Sequence, residues 1–195
     1  GVYLTAAIAQ AIYEEYQCGN GSKKPVNIFV PVDLRRIFNS ETSLNFFSNI
    51  TVSLPFIGTG ITFEQVLAKV QAQFDAKLNK TTLQQKLAFT ARSETSIFTR
   101  IIPLPLKNGI MRIVYEHSNN GSTLAFSNLG PTEVEPPFAN ELEGFRFLLS
   151  PAPKEPVKVA AVAYRDTVAL TFTTSLEENL LAKNIVCRLQ QAGVP

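Results

Sequence analysis

The chain has 195 residues, and its 18 Lys and Arg against 16 Asp and Glu leave a formal net charge of +2. Hydrophobic residues make up 45% and charged residues only 17%, below the roughly 25% of an average soluble domain, so there is ample material for one core. This composition argues against three classes. The apolar content and small net charge do not suit a disordered chain, and no window approaches 18 uninterrupted apolar residues, as a spanning helix would need. Paired basic sites occur only at Lys23-Lys24 and Arg35-Arg36, too few for a basic nucleic-acid-binding face.

In chain order, the first apolar run is Val2, Leu4, Ala6 to Ala9, Ala11, Ile12 and Tyr16, spaced as a helix that ends at Gly19-Asn20-Gly21. A helix starting at residue 1 has no room for a capping residue, and the first residue is not Met, so the chain is expected to be part of something longer. Val26, Ile28, Val30 and Val32 then alternate with Asn27, Phe29, Pro31 and Asp33, a period-two strand expected near a sheet edge because of Pro31. Asn49 to Leu54 reads as a second strand, stopped at Pro55. Thr62-Phe63-Glu64-Gln65 is a capping box opening a helix whose Phe63, Val66, Leu67, Val70, Phe74 and Leu78 form one stripe.

A second helical region is predicted from about Leu83 to Arg92, and a third from Thr95 to His117, irregular around Pro103 and Pro105. Strands follow near Ser122–Ser127, Phe145–Leu149, Val157–Tyr164 and Thr167–Thr173, the last two joined by an Arg165-Asp166 turn. Ser175-Leu176-Glu177-Glu178 reads as another capping box, opening a helix with Leu176, Leu180, Ile185 and Leu189 inward and Gly193 as terminator. The expected fold is α/β of the mixed α+β kind: a two-layer sandwich, with a mixed β-sheet and helices on one face. Residues 1–195 are expected to form a single domain.

Few side chains offer chemistry. Cys18 and Cys187 lie far apart and in no metal-ligand spacing, so both are read as inert thiols and no metal site is expected. His117 is the one histidine, and any Ser-His or Cys-His catalysis would have to use it. It is followed by Ser118-Asn119-Asn120-Gly121, with no carboxylate to orient the ring, and reads as a solvated residue closing a helix. Sequons at Asn20, Asn49, Asn79 and Asn120 carry no weight without a secretory context, and Asn49 falls in a strand expected to be buried; a cytoplasmic location is the default expectation. Gly58-Thr59-Gly60 lacks the third glycine and lysine of a phosphate loop. The pairs Glu14-Glu15 and Glu177-Glu178 are adjacent on helices, point about 100° apart and cannot converge on one substrate. Lys23-Lys24 reads as a solvated turn.

The sharpest local signal is Leu124-Ala125-Phe126-Ser127-Asn128-Leu129-Gly130-Pro131. A strand there delivers a hydroxyl and an amide into a Gly-Pro turn. Two readings stand: the polar groups face a cleft that the glycine lets a ligand approach, or both side chains merely bond local backbone.

Ser127-Asn128-Leu129-Gly130 resembles the SNLG element of dihydrolipoamide acyltransferase catalytic domains. The wider pattern resembles the C-terminal half of the alcohol acetyltransferase and condensation-domain families, within the chloramphenicol-acetyltransferase-like superfamily. Its pieces are Tyr3 to Ala7, Pro31-Val32-Asp33-Leu34-Arg35-Arg36, Asn45-Phe46-Phe47-Ser48-Asn49, the SNLG run, Phe145 to Ser150 and a final helix ending at Gly193. In that superfamily two such units face each other across a tunnel, and the histidine of an HHxxxD motif in one deprotonates the acceptor, which attacks an acyl thioester. The resemblance implies that Ser127 donates to the oxyanion and that Asn128 and Gly130 line the tunnel. It also implies an acyl-CoA or phosphopantetheine thioester as co-substrate, with no tightly bound cofactor. The resemblance would place Arg35 and Arg36 near a pantetheine phosphate, although a structural salt bridge is the plainer reading.

The chain departs from the family in one respect. It contains no HHxxxD, and where a lipoyl enzyme carries HxxxDG it has Thr173-Thr174-Ser175-Leu176. The expected partner is therefore an N-terminal half of the same protein bearing that histidine, with an acyl carrier protein as a further candidate, and the chain alone is expected to be inactive. The rival reading is a non-catalytic docking module. Without its other half, the chain is expected to expose an apolar face and self-associate.

Overall fold

The computed structural model describes residues 1–17, 24–55, 61–97, 101–118, 121–152, 155–177 and 180–193, without the side chains of 16–17, 94 and 115–118. Cys18, Lys23, the Gly19-Asn20-Gly21 and Gly58-Thr59-Gly60 runs, Asn119, Asn120 and Glu178 lie outside the described residues. Five strands form one sheet: β1 (Val26–Asp33), β2 (Phe47–Leu54), β3 (Leu124–Pro131), β4 (Val157–Tyr164) and β5 (Thr167–Thr174). Their spatial order is β2-β1-β3-β4-β5. The outer joints, β1 with β2 and β4 with β5, are antiparallel, and the two inner joints are parallel.

Because a strand's side chains alternate between faces, Ile28 and Val30 of β1, Val52 of β2, Phe126 of β3 and Val159 of β4 share one side and join a common core. Three helices cover that side: α1 (Val2–Ile12), α3 (Phe63–Lys77) and α6 (Leu180–Gln191). Every residue of α1 from Thr5 to Ile12 is buried, since α3 packs on one flank and α6 on the other. A single turn, α2 (Arg35–Phe38), follows β1, while α4 (Lys80–Thr95) and α5 (Leu104–Ser118) follow α3. The capping box at Thr62 forms as the sequence predicts, with the Thr62 hydroxyl accepting from Gln65 N–H at 3.4 Å and the Gln65 side chain accepting from Thr62 N–H at 3.3 Å. The result is the mixed two-layer arrangement expected from the sequence.

Several expectations are corrected. β1 is not an edge strand, because it lies between β2 and β3; Pro31 is tolerated because the ladder to β3 ends at Phe29. Phe145–Leu149 forms no strand. The segment alternates between half-buried and exposed positions, but it lies over the open face of β4 and β5. There Phe145 packs edge-on against Tyr164, and the Leu149 carbonyl accepts from the Thr173 hydroxyl at 2.6 Å.

Ser175 does not open the last helix, which starts at Leu180 and buries Leu181, Ile185 and Leu189, leaving Leu176 and Leu180 exposed. The irregularity expected around Pro103 and Pro105 is present: Ile101 is helical, the helix is interrupted at Ile102 and Pro103, and α5 begins at Leu104, where a first turn needs no N–H donor from Pro105. Cys187 is a free, exposed thiol. Arg165 takes the left-handed φ of 51° that a tight hairpin turn requires, with its guanidinium 5.0 Å over the Tyr164 ring. Gly193 follows α6 at φ 82°. Leu104, Leu106, Met111, Ile113 and Val114 of α5 are all exposed. Among the described residues, no helix is long and apolar enough to cross a membrane.

Candidate functional site

β1 and β3 run side by side only at Ile28–Leu124 and Phe29–Ala125. Beyond those pairs β1 stays with β2 as far as Asp33, and β3 stays with β4 as far as Pro131. The carboxyl ends of two neighbouring parallel strands therefore part, the place where open sheets form crevices. A groove of about 250 Å³ occupies the gap. Three separate stretches line it: Pro31 to Arg35, Asn45 to Phe47, and Ser127 to Leu129. All three belong to the motif pieces singled out in the sequence, and the fold gathers them although they span nearly a hundred positions.

Ser127 sits opposite Ala160 of β4. Its neighbour Phe126 is fully buried toward the helices, so alternation turns Ser127 to the open face, where it is half-buried. Its hydroxyl has no hydrogen-bond partner among the described residues. Asn128 is exposed, and its Oδ1 accepts from Gly130 N–H at 2.9 Å. Gly130 holds φ 74°, a left-handed conformation that suits glycine. Between Asn128 and Pro131 the register against β4 slips, so that Asn128 faces Ala161 but Pro131 faces Ala163. This bulge bends β3 at the groove's rim before pairing with β4 resumes, Thr132 N–H donating to the Ala163 carbonyl at 2.8 Å. Asn128 thus fits the local-turn reading of its side chain, whereas Ser127 fits the cleft-facing one.

Arg35 forms the opposite wall. Its guanidinium pairs with Asp33 at 3.0 Å and donates to the carbonyls of Thr42 at 2.9 Å and Leu44 at 2.6 Å. These bonds fix the loop that carries Asn45 to Phe47. Arg35 is therefore occupied as a structural clamp, while Arg36 is exposed and outside the groove lining.

The other candidates lie elsewhere. Glu14 reaches Arg188, and Glu15 accepts from Asn184 at 3.1 Å, so both carboxylates brace the end of α1 against α6. Glu177 is exposed. The backbone of His117 lies in the last turn of α5. Asn49 is half-buried in β2, with its side chain accepting from the Lys86 amine. No cluster of three or more His, Cys, Asp or Glu that could hold a metal occurs among the described residues. The Arg35–Asp33 pair is the structural salt bridge expected from the sequence, whereas the bonds from Arg35 to the Thr42 and Leu44 carbonyls had no local sign.

No protein-family model matches the sequence, and no curated protein matches it significantly. Among solved structures, the starter condensation domain of rhizomide synthetase RzmA superposes with a TM-score of 0.55 at 11% identity, covering 100% of this chain and 41% of that one. The epimerization domain from the third module of tyrocidine synthetase B gives a TM-score of 0.52 at 14% identity, covering 97% of this chain and 40% of that one. The chain thus has the fold of part of a condensation-type domain and spans about two-fifths of the length of these structures.

Proposed function

We propose that the chain is the C-terminal half of an acyltransferase that moves an acyl group from coenzyme A, or from carrier-bound pantetheine, onto an alcohol or amine. The observation behind this reading is a Ser127 hydroxyl with no hydrogen-bond partner among the described residues, in a groove built from three converging motif segments. An upstream half supplies the histidine of an HHxxxD motif, which takes the proton of the acceptor as its oxygen or nitrogen attacks the thioester carbonyl. Ser127 donates its O–H to the oxyanion that forms. The carbon–sulfur bond then breaks, and the leaving thiolate recovers a proton from the imidazolium. Asn128 and Gly130 shape the wall of the tunnel, and Arg35 holds the facing loop in place. Without its other half the chain has no general base at this site and does not turn over.

The test is to express the chain joined to its upstream half and to measure free-thiol release from a panel of acyl thioesters with alcohols and amines. Thiol release by the joined protein, and none by this chain alone, is the expected result. A joined protein that binds a carrier domain but releases no thiol from any thioester would replace the acyltransferase with a docking module.

A further inference from the structure

The two edges of the sheet differ. At the β2 edge the Gln73 amide bonds both backbone groups of Ser53, the Lys77 amine donates to the Thr51 carbonyl, and the Lys86 amine donates to the Asn49 carbonyl at 2.7 Å. Side chains from α3 and α4 thus close this edge and place two cations along it, a recognised defence against strand addition.

β5 has no such cover. Among the described residues, no hydrogen bond reaches the outer backbone groups of Thr167–Thr174. The overlying 143–150 segment touches β5 through the Thr173 side chain, not through a backbone ladder. The strand reads Thr-Val-Ala-Leu-Thr-Phe-Thr-Thr, with no charge, glycine or proline. Such a strand is a ready template for another strand.

We infer that β5 pairs antiparallel with β5 of a second copy, joining two five-stranded sheets into one across a two-fold axis. Directly opposed residues in an antiparallel pair share a face, so the axis must fall on a residue and not between two. Centred on Thr171, it sets Leu170 against Phe172 on the side of the core that both already flank, and Ala169 against Thr173 on the other. Val168, which is 58% exposed, faces Thr174. No charge opposes a like charge in this register, and both helix layers fall on the same side. Because β2 is capped, the pairing closes at two copies instead of running on as a filament.

The test uses the whole chain in sedimentation velocity, with Thr171→Lys and Val168→Lys on β5 and Ile113→Lys on the exposed face of α5. A dimer that is lost in both β5 variants, with circular dichroism unchanged, and kept in the α5 variant is expected. In a Cys18→Ser, Cys187→Ser background, Thr171→Cys should cross-link to its own copy under mild oxidation, which reports the register even if a lysine variant misfolds. A chain that stays monomeric, or a dimer abolished by Ile113→Lys and untouched by the β5 variants, would overturn the inference.

Discussion

The Gln73 side chain grips the Ser53 peptide from both sides, accepting from its N–H at 3.0 Å and donating to its carbonyl at 2.8 Å. One amide side chain thus imitates the strand that would otherwise lie beside β2. Gln73→Ala strips both bonds from a part-buried backbone and is expected to cost about 1–3 kcal/mol. Urea denaturation should show a lower midpoint with an unchanged slope. Adding both Lys77→Ala and Lys86→Ala should bring light scattering that grows with time, because both edges of the sheet would then be open.

Phe126 and Ser127 are neighbours with opposite fates. Phe126→Ala removes a fully buried ring and should destabilise the fold by about 3–5 kcal/mol. Ser127→Ala should leave the unfolding midpoint unchanged, since its hydroxyl bonds nothing in the described structure. In the proposed joined acyltransferase the same change should lower kcat by about 10²–10³. Undiminished turnover in a folded Ser127→Ala enzyme would remove the serine from the mechanism.

Glu64, in the first turn of α3, has its carboxyl held below the usual carboxylate range by a backbone N–H and by the Thr62 side chain. A lowered native value means that the unfolded chain binds protons first as pH falls. The contribution of Glu64 is therefore complete above the ordinary carboxylate range and lost as pH drops through the lowered value. Melting curves of the parent and of Glu64→Gln should differ at neutral pH and converge in acid. A gap that persists unchanged in acid would show that the charge is not responsible.

Gly130 has φ 74° with open space where a side chain would go. Gly130→Ala meets no clash and should cost only the backbone strain, about 1–2 kcal/mol. Gly130→Val, branched at Cβ, should cost more, and equal midpoints for the two variants would mean that the loop had changed conformation.

Much of this was legible because burial imposes period. Val26 to Asp33 and Thr167 to Thr174 have one face packed under helices, so apolar residues recur at every second position, whereas Val157 to Tyr164 is buried on both faces and reads as a nearly continuous apolar run. Phe145 to Leu149 carries the same alternation for another reason: the segment rests a half-buried side on Tyr164 without hydrogen-bonding into the sheet, and periodicity cannot distinguish the two cases. Ser175 misled because a capping pattern needs a helix directly behind it, whereas Leu176 N–H instead bonds back to the Thr174 hydroxyl at 3.0 Å. The groove was partly legible. Its motif pieces stood out singly, but their meeting depends on where β1 and β3 separate, a long-range relationship that no local pattern encodes.

That separation also bears on how the protein folds and breathes. Asn27 and Thr123, 96 positions apart, are tied by Asn27 N–H to the Thr123 hydroxyl at 3.0 Å and by Thr123 N–H to the Asn27 carbonyl at 2.7 Å. With the two strand pairs beside them and the Asn27 side-chain amide donating to the Gly121 carbonyl, these bonds make up the seam seen among the described residues between the β1–β2 and β3–β4–β5 halves of the sheet. Closing so long a loop costs entropy before its contacts reward it, so the seam is expected to knit last and to open first. Hydrogen exchange at Asn27 and Thr123 should outpace exchange within β4. One wall of the groove belongs to each half, so the width of the slot beside Ser127 is set by a joint between segments nearly a hundred positions apart.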